Sequence, residues 1–220
     1  MPGISSSSAI VFARIVPSEI NIITTENNNV IDLALCRQVR SSTDGSDIWQ
    51  TKLSGANSTN VLSWGSFTES FYGGGDDIWN TNDQFRYAYQ KLNTDFSFSI
   101  KIDSLYNVHQ YAKAGLMIRK SLNSNSAHGL VNMFPSGNTE FGYRTSNGET
   151  MKAKSGPQID LTDARLKIKK SGKIIEFFVL SSNAWQKLGE LNVAKWGKSF
   201  YVGIATLSHD DSQLTKAQYS

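Results

Sequence analysis

Cysteine is almost missing from this chain. Cys36 is the only one in 220 residues, which excludes an intramolecular disulfide framework and any cysteine-rich metal site. It ends the apolar run Val30-Ile31-Asp32-Leu33-Ala34-Leu35-Cys36, where a buried small hydrophobe is expected rather than a reactive thiol. Proline is scarce at 4 residues, and charged residues make up 19% against 39% hydrophobic, the balance of a folded, polar-surfaced protein and not of a disordered one. Long apolar runs are missing too. Ala9-Ile10-Val11-Phe12-Ala13-Arg14-Ile15-Val16 is too short to cross a bilayer and is broken by arginine, so no membrane span or signal peptide is visible. Nor is there an excess of one charge. The net charge is +3 and the basic residues are scattered except at Lys167, Lys169 and Lys170, read as alternate positions on an exposed strand face. Without a basic stripe to follow a phosphate backbone, nucleic acid is not an expected partner.

Catalytic signatures are equally sparse. Glycosidases need two carboxylates about 5 to 10 Å apart, which a strand supplies through Glu-x-Asp or Glu-x-Glu spacing. Here Glu19, Glu26, Glu69, Glu140, Glu149, Glu176 and Glu190 are isolated in sequence. His109, His128 and His209 lack the short spacings of a zinc site. Gly73-Gly74-Gly75 has no following lysine and helix to cradle phosphate, and reads instead as a bend with positive φ or a close approach of two backbones.

What the chain does have is alternation. Phe85-Arg86-Tyr87-Ala88-Tyr89-Gln90, Phe96 to Ile102, Tyr111 to Arg119 and Phe141 to Arg144 place apolar residues at every second position, the pattern of half-buried strands. Lys173 to Leu180 and Phe200 to Leu207 are apolar at both alternations and are expected to be covered on both faces. Turn residues recur at Gly73 to Gly75, Asn107, Asn123 to Asn125, Ser136-Gly137-Asn138, Ser146-Asn147-Gly148 and Ser171-Gly172. Short strands at such spacing predict an all-β chain, an antiparallel β-sandwich over 61–220. Residues 1–60 are expected to add an arm, an edge strand or two and a long loop over 40–60, the whole forming one structural unit. Asp47-Ile48-Trp49-Gln50-Thr51 and Asp77-Ile78-Trp79-Asn80-Thr81 echo each other, but without a sustained period the echo is read as coincidence. Asn57-Ser58-Thr59 has the form of a glycosylation acceptor.

The succession Gly75-Asp76-Asp77-Ile78-Trp79, Asp83-Gln84-Phe85-Arg86-Tyr87, Ala112-Lys113-Ala114-Gly115-Leu116-Met117-Ile118-Arg119, Ala127-His128, Phe141-Gly142-Tyr143-Arg144 and Tyr201 to His209 resembles the concanavalin A-like jelly-roll domain of the "regulation of enolase" type. Laminin G-like and carbohydrate-binding modules share its architecture. The resemblance covers about residues 67 to 219. It departs where the family often has Ser-x-Asp-Gly before a late tryptophan, because this chain has Ser181-Ser182-Asn183-Ala184-Trp185.

Alternation also assigns the face opposite the core. Ala112, Ala114, Leu116 and Ile118 form one set, so Tyr111, Lys113, Met117 and Arg119 point the other way. Tyr87, Tyr89, Arg119, His128, Asn132 and Arg144 are the candidate ligand contacts. A concave face mixing tyrosine, arginine, histidine and asparagine suits sugars, which stack on rings and bond to planar polar groups. The first expected function is non-catalytic, lectin-like carbohydrate recognition. The second is a structural protein of a virion, surface layer or filament, using an N-terminal strand for homo-oligomer or larger contacts. A glycoside hydrolase is third. An extracellular, cell-surface or virion-associated setting is expected. Asp76, Asp77 and Asp83 beside the glycine bend are candidate calcium ligands, since calcium takes six to eight oxygens. Trp79 is expected to anchor its loop by burying its ring.

Overall fold

The computed structural model describes residues 69–220 together with the strand segments 21–22, 31–32, 48–52 and 61–62. In chain order the strands are β1 (Asn21–Ile22), β2 (Ile31–Asp32), β3 (Ile48–Lys52), β4 (Val61–Leu62), β5 (Glu69–Gly75), β6 (Ile78–Trp79), β7 (Asn82–Asp83), β8 (Phe85–Leu92) and β9 (Phe96–Leu105). They continue with β10 (Lys113–Arg119), β11 (His128–Met133), β12 (Asn138–Arg144), β13 (Lys152–Gln158), β14 (Ala164–Ser171), β15 (Ile174–Ser181), β16 (Ala184–Asn192), β17 (Phe200–Leu207) and β18 (Asp210–Tyr219). A single turn of 3-10 helix, Leu161–Asp163, is capped by the Asp160 side chain. The expectations for residues 1–8 and 9–16, Cys36 and Asn57 lie outside the described residues.

Two sheets form the sandwich. The first has the order β13-β12-β11-β10-β17-β8-β3, and the second β16-β15-β14-β9-β18-β5 with β4 against β9. Pairings are antiparallel except those of β3 with β8 and β4 with β9. This is the all-β antiparallel sandwich that the alternation predicted. Between the sheets lie Ala114, Leu116, Ile118, Val131, Phe141, Val202 and Ile204 from the first and Phe98, Ile100, Ile102, Leu166, Ile168, Phe177 and Val179 from the second. These are the alternate residues of their strands, so a period of two translates directly into one shared core.

Several local details differ from the expectations or add to them. Residues 48–52 lie within the expected 40–60 loop but pair parallel with Phe85 to Tyr89 as the edge strand of the first sheet. The echoing segment at 78–83 is instead a tight β6–β7 hairpin turning at Asn80, whose φ of 42° asparagine tolerates better than most residues. The two copies therefore share residues and not structure. β15 is covered on one face only, its residues alternating between buried and half-buried, because its sheet packs against the core on a single side. Lys170 likewise turns inward, buried and paired with Asp95 at 2.7 Å, away from the outward Lys167 and Lys169. By contrast β17 is buried on both faces, as its double alternation predicted.

The second covered face has a separate cause. Ile78, Phe85, Tyr87, Tyr89, Met117, Leu130, Met151, Ala205 and Leu207 form a second apolar cluster on the outer side of the first sheet. Segments 76–84, 120–127 and 145–151 close over it and are tied to one another. Asp83 N donates to Ser124 O at 3.1 Å, Gly148 N to Asn125 O at 2.8 Å and Met151 N to Asn80 O at 2.8 Å. Gly142 lies beneath this cap, and a Cβ there would displace the methyl end of the flexible Met151 side chain.

Candidate functional site

The outer face of the first sheet divides into a sealed region and an open one. In the sealed region four ionisable side chains, all with 0% exposure, converge: Asp83, Arg119, His128 and Arg144. The register places Arg119 beside His128 and His128 beside Arg144, while Asp83 descends from the β6–β7 hairpin. Arg119 Nη1 donates to Asp83 Oδ2 at 2.6 Å, and Arg144 donates to Oδ1 at 3.0 Å and Oδ2 at 3.1 Å. Other guanidinium hydrogens hold the covering loops, while Arg144 Nε is buried without a partner. Arg119 Nη2 donates to Asn123 O at 2.7 Å, and Arg144 Nη2 to Asn80 O at 2.8 Å and Trp79 O at 3.2 Å.

Burial pushes the Asp83 carboxyl upward, and the positive charges around it outweigh that push, leaving it below its ordinary value. Burial and the two arginines lower His128 to about 4 against the partial support of Asp83. The imidazole is therefore neutral at pH 7, and the two guanidiniums are what compensate the aspartate. Buried ions are tolerable only when paired and hydrogen-bonded in this way.

This network contains three of the six residues expected to contact ligand. Tyr87 and Asn132 also have 0% exposure, and Tyr89 has 9%. Tyr87 donates its hydroxyl toward the Tyr201 carbonyl at 2.8 Å and lies 3.0 Å from that of Met117. Tyr89 stacks on Tyr87 at 5.4 Å and meets the edge of Tyr201 at 5.3 Å. The structure thus brings the six together on one face as alternation predicted, but buried: Arg119 and Arg144 hold loops to sheet, Tyr87 bonds strand carbonyls and Asn132 lies opposite Glu140.

The three aspartates do not converge. Asp76 is exposed, Asp77 pairs with Lys113 and Asp83 is consumed by the arginines. Calcium requires several oxygens on one point, and these residues do not fit it; among the described residues no group of three His, Cys, Asp or Glu is placed to hold a metal ion. The hairpin is anchored by Ile78 and Asp83, both with 0% exposure, whereas Trp79 is 38% exposed.

The open region lies at the other end of the same face. A groove of about 590 Å³ is lined by Asn107, Gln110, Tyr111, Phe134, Asn138 and Glu140, among others. Tyr111 is exposed and meets the edge of Phe134 at 6.2 Å. Beside it His109 and His209 stack at 4.4 Å, and His209 Nδ1 lies 3.4 Å from Asp77 Oδ2. The Lys113 ammonium sits 5.7 Å from the Phe134 ring and is held by Asp77. Glu140 is half-buried, and its Oε1 is shielded from solvent with no hydrogen-bond partner. Burial pushes its carboxyl upward, and the nearby Lys113 and Asp77 act on it in opposite directions. Asn132 lies opposite Glu140 in the β11–β12 register, and both of its amide atoms are buried without a partner.

Sequence reading did not select Phe134, Asn138 or Glu140 as site residues. A signal existed for Glu140, which has the parity of Arg144 on β12. Its meeting with Tyr111 and Phe134 depends on register and loop conformation, which no local pattern encodes.

No family model matches the chain, and no curated protein matches it. Solved structures do. A functionally unknown protein from Saccharomyces cerevisiae aligns at TM-score 0.54 and 12% identity, over 70% of this chain and 84% of that one. A variant of the GH43 protein BlXynB from Bacillus licheniformis aligns at TM-score 0.51 and 11% identity, over 67% of this chain. The alignment spans only 31% of that longer protein. A legume lectin-like domain from Entamoeba histolytica aligns at TM-score 0.43 and 12% identity, over 69% and 89%. At these identities the likeness is one of fold.

Proposed function

We propose that the protein is a carbohydrate-recognition module that binds glycans in the groove at Tyr111, Phe134 and Glu140. The reading rests on the chemistry of that groove. Two aromatic rings stand beside the amides of Asn107, Gln110 and Asn138 and one carboxylate, in an open space of about 590 Å³. Sugar rings place C–H faces on aromatic rings and exchange hydrogen bonds with planar polar groups, and spaces of this size are typical of ligand sites. The sandwich shared with the GH43 neighbour is compatible with the reading, but the groove supports it. Binding is thus moved from the capped residues to the open end of the same sheet face.

A glycan array followed by calorimetry on any hit tests this. Tyr111→Ala should weaken binding at least about tenfold while leaving the melting temperature within a degree or two, because the ring is 51% exposed. An array without a hit, or a Tyr111→Ala protein that binds as the wild type does, would sink the proposal.

A further inference from the structure

We propose a second binding site, at the end of the sandwich where β8 turns into β9, β14 into β15 and β16 into β17, which takes the anionic groups of a sulfated or uronic-acid polysaccharide. It does not rest on the groove: β17 runs from this site, at Phe200, to the groove end of the sheet, where His209 meets Tyr111.

The fold makes this cluster from lysines that are scattered in sequence. Segments 91–95, 170–173 and 192–199 carry Lys91, Lys170, Lys173, Lys195 and Lys198 but only one acid, Asp95, a surplus of four positive charges where the whole chain has three. The segments are tied together: Gly172 N donates to Asp95 Oδ2 at 2.9 Å, and Val193 N to Lys173 O at 2.8 Å. Between them lies a hollow of about 380 Å³, lined by Asn93, Lys170, Lys173, Lys198 and Phe200, among others, and by no carboxylate. Asp95 does not neutralise it, because that side chain is spent on Lys170 at 2.7 Å and on the Gly172 amide. Lys173, Lys195 and Lys198 are exposed and have no carboxylate partner among the described residues. The acids of neighbouring elements are committed elsewhere. Glu176 and Glu190, two positions along β15 and β16, are held by Lys187, and Glu149, in the loop that Trp196 reaches through Thr145 O, is held by Lys152. Unopposed ammonium groups around one concavity concentrate anions, and each offers three donors to sulfate or carboxylate oxygens. The size of the hollow is that of a small-ligand site. A saccharide chain fits better than the other polyanions. The rings here, Trp196 and Phe200, are buried and present no face for a nucleic-acid base to stack on, and none of the exposed large hydrophobic residues stands on these segments to enter a lipid surface.

Calorimetry with oligomers of sulfated dextran, polygalacturonate and neutral dextran tests this, and the first two separate a sulfate ester from a carboxylate as the bound group. At least one of the anionic oligomers should bind, with an affinity that falls as salt rises. Lys173→Glu/Lys198→Glu should weaken that binding at least about tenfold with an unchanged melting temperature, since both side chains are exposed. Lys154→Glu/Lys216→Glu makes the same change of charge on β13 and β18 and should stay within about twofold of the wild type, which separates a site from an effect of net charge. Tyr111→Ala should bind the anionic oligomer as the wild type does, so failure of the groove reading leaves this one standing. Neither anionic oligomer binding, or equal losses in the two double variants, would overturn the site. A single-stranded oligonucleotide or an anionic phospholipid vesicle that binds more tightly than both oligomers, with the same loss in Lys173→Glu/Lys198→Glu, would overturn the saccharide as its occupant.

Discussion

At the scale of single residues, the decisive contrast is between Asp83 and Glu140. Both are carboxylates on the same sheet face, yet one is saturated by two guanidiniums and the other has an oxygen with no donor. The first is spent on the fold, whereas the residue of the second lines an open groove. Asp83→Ala would leave Arg119 and Arg144 buried without their counterion, so stability should fall by about 3 to 5 kcal/mol, the cost of breaking a buried pair from one side. Denaturant unfolding measures it; a loss under about 1 kcal/mol would show that water or another group takes over the aspartate's place. Arg144→Ala should cost a comparable amount, because its guanidinium also holds the Trp79 and Asn80 carbonyls of the hairpin.

Among elements, the β6–β7 hairpin is the piece that converts an exposed sheet face into a closed one. Ile78 enters the apolar cluster with Phe85, Tyr87 and Met117, so Ile78→Ala should destabilise the protein by about 2 to 5 kcal/mol, as for other buried large-to-small changes. Trp79→Ala should cost less than Ile78→Ala, about 1 kcal/mol, since the ring is 38% exposed and belongs to neither apolar cluster. The reverse order in thermal melts would show that the hairpin is held by its tryptophan after all. Chelator should leave the melting temperature unchanged, because the charge partners of Asp77 and Asp83 are side-chain cations. A fall in the wild type that is absent in Asp76→Asn/Asp77→Asn would overturn that expectation.

For the whole molecule, the sealed network makes stability depend on pH. His128 is held neutral down to about 4, whereas in the unfolded chain it takes up a proton near pH 6.5. Between those values the unfolded state binds more protons, so stability falls as pH drops from about 6.5 to 4, by up to about 3 kcal/mol. Asp83 adds to the loss at lower pH: its folded carboxyl is depressed, so its contribution is complete above the ordinary aspartate range and disappears as pH falls through its folded value. Thermal melts from pH 7 to 4 should show this decline, and His128→Gln should flatten it. An equal slope in both proteins would assign the pH dependence to other groups.

Period-two alternation marked β8, β9, β10 and β12, the class of sandwich and the residues of those strands that share each face, because side chains on a strand alternate strictly whatever its neighbours do. Tyr87, Tyr89, Arg119, His128, Asn132 and Arg144 were legible as one face for that reason. Whether the face met solvent was not legible, since Ile78 and Asp83 from the β6–β7 hairpin and Met151 from the segment after β12 fold back over it, and the paths of such connections leave no periodic trace. The same limit hid the groove. Glu140, Tyr111 and Phe134 come from one strand and two loops, and only strand register and loop closure make them neighbours. Alternation is a local property and could be read residue by residue, whereas coverage and convergence are properties of the assembled sheet and exist only once its strands have paired.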